Sequence, residues 1–243
     1  MQIARRILAI DIGNTNITVG SFDGPKLVKK EKIPTPAYSL YKKIARHPAD
    51  EVIISSVAPL ALARLVCELN RTSRRKVTIL GKDIKVPVKN LYLNKNEVGQ
   101  DRLVNAFGAL AIYGAPAVII DFGTAITFDI ISKNGSYLGG LILPGIEMGL
   151  RSLYEKTALL PRVELKPAKN IIGRDTVDSM RGGILFGYGA MCDGLISQYR
   201  ALLGRSIKVI ATGGNANLIK RYAKSIQIVD EDLTLKSLAL IRP

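Results

Sequence analysis

Apolar positions recur along this chain with two periods. Alternation predicts strands at 6–12, 16–22 and 27–33, joined by Gly13-Asn14-Thr15 and by Asp23-Gly24-Pro25. A helix is expected near 37–46 and a strand over Glu51–Ser56. Helical spacing follows over 58–70, with Leu62, Leu65, Val66 and Leu69 on one face. A short strand at 77–80 and an irregular basic connection over 81–97 lead to a helix over 99–113, where Leu103, Phe107, Leu110 and Ala111 share a face. The plan then repeats. Strands are expected at 117–122, 125–131 and 136–143, a helix near 146–156, and a long helix over 176–203 whose glycines suggest close packing. A strand at 208–212, a helix at 216–223 and a last strand at 225–229 complete it. Strands and then alternating helices and strands, twice over, predict a duplicated α/β architecture, with domains at 1–115 and 116–243.

The duplication has a chemical echo. The stretch from Ala117 to Asp129 runs apolar to Asp121, turns at Gly123-Thr124 and resumes apolar through Phe128. The stretch from Leu8 to Thr18 has the same form around Asp11, Gly13 and Thr15. Such a turn offers backbone N–H groups and a hydroxyl beside a carboxylate, and its glycine lets a phosphate approach the backbone. One copy alone reads equally well as a plain hairpin. Two copies, one at the start of each half, suggest two similar domains facing one nucleotide.

Composition narrows the picture. Hydrophobic residues make up 47% of the 243, enough for sizeable cores. No secretory leader is read at Met1–Arg6. The uncharged stretch Leu103–Ile120 is long enough to test as a membrane span, but Asn105 and the Gly114-Ala115-Pro116 break favour a helix followed by a buried strand. Cys67 and Cys192 lack metal-ligand spacing and read as buried free thiols in a reducing cytoplasm. The 35 Lys+Arg against 20 Asp+Glu give a formal +15, which attracts polyanions. These charges are scattered, denser at Lys26–Lys32 and Arg71–Lys76, without interleaved aromatics, so solvated surface is favoured over a specific nucleic-acid site. The single histidine, His47, is expected in a surface turn, which argues against a Ser-His-Asp triad or a histidine metal site.

No P-loop and no Gly-x-Gly-x-x-Gly dinucleotide fingerprint is present. Ala211-Thr212-Gly213-Gly214 puts bare backbone at a strand end, suited to an adenosine or merely to a tight helix start. Gly99-Gln100-Asp101-Arg102 opens a helix. Asp101 suits the helix dipole there and Arg102 opposes it, unless an anion binds. Arg offers a fork to a carboxylate and Asp a proton acceptor, a pair fitted to a substrate that is both acid and alcohol. An exposed ion pair is the plainer alternative.

With these residues in place the chain resembles the type III pantothenate kinases of the acetate and sugar kinase, Hsc70 and actin superfamily. The markers are Asp11 to Thr15, Gly99 to Arg102, Asp121 to Ala125, Gly139-Gly140 leading to Pro144-Gly145, Gly173 to Thr176, Ala211 to Gly214, and Leu233 to Leu235. The resemblance implies two RNase H-like, actin-like ATPase domains with the nucleotide cleft between them. It implies transfer of the ATP γ-phosphoryl group to pantothenate, at the start of coenzyme A synthesis, in a cytoplasmic homodimer. Asp11, Ile12, Gly13, Asn14, Thr15, Asn16, Ile17 and Thr18 would form the first phosphate loop, with Asp11 holding Mg²⁺ through water. Thr124 would bind ATP phosphate, and Gly213 and Gly214 would border adenosine. Asp121 would hold a monovalent cation, K⁺ or NH₄⁺. Tyr92, Gly99, Gln100, Asp101 and Arg102 would hold pantothenate, with Asp101 as proton acceptor and Thr176 reaching in from the partner subunit.

The chain departs from the family pattern in a short segment between Lys32 and Glu51, in Gln100 where a small residue is more usual, in Ser237 where glycine is usual, and in its charge. The sequence leaves two other classes open: a non-catalytic accessory factor to transcription on the same fold, or a kinase of another small hydroxy acid.

Overall fold

The computed structural model describes residues 5–72 and 75–241. The leader reading at Met1–Arg6 and the middle of the basic run Arg71–Lys76 fall partly outside the described residues. The chain forms two compact units, one reaching to Ile112 and resuming at Asp232, the other spanning Tyr113–Glu231.

In the first unit β1 (Arg6–Ile12), β2 (Asn16–Asp23) and β3 (Lys26–Pro34) form an antiparallel meander. A 3₁₀ turn at Tyr38–Leu40 and a single helical turn, α1 (Tyr41–Ala45), stand where one longer helix is expected. Then come β4 (Glu51–Ser56), α2 (Pro59–Thr72), β5 (Lys76–Ile79) and α3 (Gln100–Tyr113). The sheet order is β3-β2-β1-β4-β5, with β4 and β5 parallel to β1. Strand periodicity decides the faces. Leu8, Ile10, Ile12, Ile17, Val19, Val52 and Ile54 pack with Leu65 and Leu69 of α2. Asp11, Thr18 and Ser55 therefore lie on the opposite face, side by side on neighbouring strands.

The second unit repeats this sheet with β6 (Ala117–Phe122), β7 (Ala125–Ile131) and β8 (Tyr137–Pro144). These are followed by α4 (Ile146–Glu155), α5 (Thr176–Leu203), β9 (Lys208–Thr212), α6 (Ala216–Lys220) and β10 (Ile228–Val229). Its order, β10-β9-β6-β7-β8, is the first sheet's order read from the other edge. Val118, Ile120, Phe122, Ile126, Phe128, Val209 and Ala211 pack with Leu185, Cys192 and Ile196 of α5. Asp121, Thr127 and Thr212 share the other face. Of the α5 glycines only Gly189 has the expected close approach, since a Cβ there would lie 2.4 Å from the Tyr222 carbonyl oxygen. Gly183, Gly187 and Gly194 face open space.

The last helix, α7 (Leu233–Leu240), was absent from the sequence expectation. It packs on β1, β2 and β4, burying Leu233, Leu235 and Leu238. The boundaries 1–115 and 116–243 are corrected accordingly: the first unit ends at Ile112 and takes back the chain from Asp232. The expected helix at 216–223 ends at Lys220, and the strand at 225–229 is only Ile228–Val229.

Two residues lie differently from expectation. His47 is 7% exposed, with Nε2 3.3 Å from Glu31 Oε2 and Nδ1 3.4 Å from Ser21 Oγ. Its carbonyl accepts from the Arg75 guanidinium, which draws the post-α1 turn inward. Cys67 is exposed, because Leu65 and Leu69 take the inward face of α2. Cys192 is buried as expected, and burial pushes its thiol up to about 12. Among the described residues no helix is long and apolar enough to cross a membrane.

Candidate active site

The Asp11 turn leaves β1 and enters β2 in three residues. Gly13 N–H donates to the Asn16 carbonyl at 2.9 Å, closing the turn on itself. Thr35 clamps it from behind: its hydroxyl donates to the Gly13 carbonyl at 2.7 Å and its N–H to the Thr15 carbonyl at 3.0 Å. Asn14 and Thr15 are exposed at the tip, while Ile12 and Ile17 are buried at its base. Asp11 and Asn16 are half-buried. The antiparallel register puts Thr18 opposite Asp11, and the parallel register puts Ser55 there on the other side.

Within the same unit Val57 links this turn to the start of α3. Its N–H donates to the Ile12 carbonyl at 3.0 Å, and its Cγ1 is 3.8 Å from where a Cβ on Gly99 would stand. That same Cβ would be 2.4 Å from Asp101 Oδ1, so the bare Gly99 backbone is what admits the Asp101 carboxylate. Asp101 Oδ1 accepts the Arg102 N–H at 2.8 Å. Burial raises the Asp101 pKa above the ordinary carboxylate value, against the opposing pull of the Arg102 N–H and guanidinium. Arg102 is only 7% exposed, which rules out the plain surface ion pair. Gln100 lies over Gly81, whose φ of +81 already favours glycine and whose Cβ would be 2.8 Å from Gln100 Cδ. The longer side chain is thus accommodated by a missing one. Ser237 is handled in the same way, its Oγ 1.6 Å from where a Cβ on Gly108 would fall. Tyr92 is half-buried in the irregular connection before α3, its N–H held by Asn90 Oδ1 at 2.9 Å.

In the second unit the turn after β6 has only Gly123 and Thr124, both exposed. Gly145, which opens α4, rests directly on it: a Cβ there would lie 2.0 Å from the Thr124 carbonyl oxygen. No side chain caps α4, so its first N–H groups open beside the turn, a setting suited to an anion. Gly213 adopts φ +85, and a Cβ there would be 2.4 Å from Asp121 Oδ1 and 2.8 Å from the Phe122 nitrogen. The structure therefore brings Asp121 and Gly213 into contact, with Gly214 exposed beyond. Thr127 and Thr212 flank Asp121 in register. Thr127 also donates to Asp129 Oδ2 at 2.8 Å, and Tyr137 to Oδ1 at 2.9 Å, which fixes a fully buried carboxylate behind the turn. Thr176 is exposed in the first turn of α5, and the cap of that helix is Asp175, whose side chain accepts the Asp178 N–H.

The sequence reading missed the flanking hydroxyls Ser55, Thr127 and Thr212. Strand register alone brings them to the two aspartates, and register is not legible in a single strand's pattern. Asp11 between Thr18 and Ser55, and Asp121 between Thr127 and Thr212, are carboxylates set among hydroxyls, an oxygen-rich setting of the kind that hard cations favour. The bare Gly213 backbone against Asp121 forms a cradle that any side chain would fill.

Two such sheets, each with an Asp-x-Gly turn after its central strand, define an actin-like ATPase fold. Similar solved structures include Ta0583, an archaeal actin homolog, with a TM-score of 0.52 and 12% identity over 96% of this chain and 98% of that one. A Baf family protein from Campylobacter jejuni, described as a candidate transcriptional activator, matches with a TM-score of 0.59 and 21% identity over 95% and 94%. At these identities both speak to the fold alone. The chain belongs to the type III pantothenate kinase family, whose sequence model matches residues 7–198. A type III pantothenate kinase of Syntrophus aciditrophicus is 41% identical over 97% of this chain and 98% of its own length. This chain is accordingly an ATP-dependent kinase.

Proposed function

We propose that this protein transfers the γ-phosphoryl group of ATP to the primary hydroxyl of pantothenate, giving 4'-phosphopantothenate for coenzyme A synthesis in the cytoplasm. The observation that carries the reading is the start of α3, where the half-buried Asp101 has a raised pKa beside the buried Arg102. A carboxylate with a raised pKa is a stronger base than an ordinary one, and in its ionised form it can take the hydroxyl proton as the new P–O bond forms. Arg102 at a helix N-terminus is matched to the substrate's carboxylate, with Gly99, Gln100 and Tyr92 completing that end. Asp11 to Thr18 and Thr124 hold phosphates, and Gly213 and Gly214 border adenosine. Asp11 would hold Mg²⁺ through water and Asp121 a monovalent cation, K⁺ or NH₄⁺; bound there, these ions neutralise phosphate charge. The protein works as a homodimer in which Thr176 serves the partner's site. Ile171 and Ile172, each 75% exposed just before that helix, supply apolar surface for such a contact.

A coupled ATP assay with and without pantothenate tests the substrate. Asp101→Asn keeps the shape and removes the base, so kcat falls by about 10²–10⁴-fold while ATP affinity holds. In the wild type kcat/KM falls on the acid side as Asp101 is protonated, and the raised pKa starts that fall at higher pH than an ordinary aspartate would. Activity of Asp101→Asn within a few-fold of wild type ends its role as proton acceptor. For the dimer, Asp101→Asn and Thr176→Val chains are each inactive alone and regain activity when co-refolded, because one site in each mixed dimer carries neither defect. Mixed dimers without activity put Thr176 in its own chain's site or in none.

A further inference from the structure

We infer that Ser55 is a positioning residue for the divalent metal at Asp11. The inference rests on the proposal that Asp11 holds Mg²⁺ through water. Ser55 lies near the end of β4 as the parallel-register partner of Asp11, so their side chains share a face on strands about 4.8 Å apart. Ser55 is 0% exposed, and among the described residues its hydroxyl meets no hydrogen-bond partner. An orphaned buried hydroxyl is a cost that alanine would not carry. The second sheet places a hydroxyl at the same point, Thr212 beside Asp121. The two residues differ in volume and share the hydroxyl, so the common factor is the oxygen.

Rotation about χ1 lets the Ser55 O–H donate to one oxygen of Asp11. The other oxygen is then fixed toward the metal's water shell. Partners of this kind orient metal-holding carboxylates, and their loss typically weakens metal affinity about 10–100-fold. No proton leaves Ser55; its role is exerted through Asp11 alone.

The test uses the full chain with Mn²⁺ as the spectroscopic probe, titrated by electron paramagnetic resonance in the presence of a non-hydrolysable ATP analogue. Ser55→Ala weakens Mn²⁺ binding about tenfold or more and leaves KM for pantothenate unchanged. Ser55→Thr, carrying the side chain found at position 212, keeps near wild-type affinity. Should the alanine variant fail to fold, Ser55→Cys, close in size and a weak donor, carries the same expectation. Wild-type Mn²⁺ affinity in Ser55→Ala, with Asp11→Asn weakened, overturns the role of Ser55 and leaves Asp11 standing. Equal weakening in the alanine and threonine variants marks a packing role and also overturns it. Unchanged affinity in Asp11→Asn overturns the Asp11 reading and this inference with it.

Discussion

The turns after β1 and β6 occupy corresponding places in two sheets of like order, yet they are held in different ways. In the first, the residue following Pro34 is Thr35, which clamps the loop through a hydroxyl and an N–H. In the second, the residue following Pro144 is Gly145, which presses bare backbone against Thr124 and starts a helix. Both prolines pair with the first residue of the strand leaving the turn, Asn16 and Ala125 respectively. One scaffold therefore yields a three-residue loop held by replaceable hydrogen bonds and a two-residue turn held by contact that tolerates no side chain. The difference predicts which turn is brittle. A hydrogen bond lost near solvent is partly replaced by water, whereas an added methyl group in a filled space forces backbone to move.

The largest effects are expected where glycine makes the contact. Gly145→Ala and Gly213→Ala each put a methyl group within 2.0–2.4 Å of the atoms that shape the second turn. Displacement of about an ångström costs on the order of 10²-fold in kcat/KM, and overpacking costs about 1–3 kcal/mol of stability. Gly213→Ala adds left-handed backbone strain, since its φ is +85. Wild-type kinetics in both variants would show that the second turn is no more rigid than the first.

Next in size comes the division of labour between the two aspartates. Asp121→Ala abolishes the difference between K⁺ and Na⁺ buffers at matched ionic strength and leaves the Mg²⁺ requirement in place. Asp11→Asn does the reverse, raising the Mg²⁺ concentration for half-maximal rate by about tenfold or more. If both variants lose both dependences together, the two turns do not serve separate ions. Asp101→Asn carries a stability signature besides its loss of rate. A carboxyl whose folded pKa is raised binds its proton more tightly in the folded state. Stability therefore declines as pH rises above the ordinary aspartate value, through the raised one, and asparagine removes that decline. At neutral pH the variant's Tm matches or exceeds that of the wild type.

Much of this was legible in the sequence because it was local. The Asp-x-Gly turns announced themselves at Asp11 and Asp121 by alternation broken at a glycine, and apolar spacing gave α5 its observed limits, Thr176–Leu203. What escaped depended on partners remote in sequence. The eight residues of α7 are too few to show a face in the sequence, and only docking on β1, β2 and β4 explains them. His47 sits in a polar stretch and is buried because Glu31, Ser21 and Arg75 surround it. Gln100 and Ser237, departures from the family pattern, become ordinary once Gly81 and Gly108 are seen against them. That last pairing is testable on its own: Gly108→Ala destabilises the protein, and adding Ser237→Gly recovers most of the loss, because the clash is with the serine Oγ.

The smallest effect is expected at Thr35, and it is the sharpest probe of the comparison. Thr35→Val keeps the branched shape and removes only the hydroxyl that donates to the Gly13 carbonyl. The N–H bond to the Thr15 carbonyl remains, as does the bond that the Thr35 carbonyl accepts from the Tyr41 hydroxyl at 2.6 Å. The Gly13 carbonyl sits in a half-exposed loop where water can take the vacated place. The loss is therefore about 1 kcal/mol of stability, with KM for ATP raised a few-fold and kcat nearly unchanged. Set beside Gly145→Ala, this variant compares the residue after β3 with the residue after β8 by the removal of one oxygen and the addition of one carbon. A loss in Thr35→Val as large as that in Gly145→Ala would mean that the first turn is also held rigidly, and that the contrast between hydrogen-bond clamp and backbone contact has no functional weight.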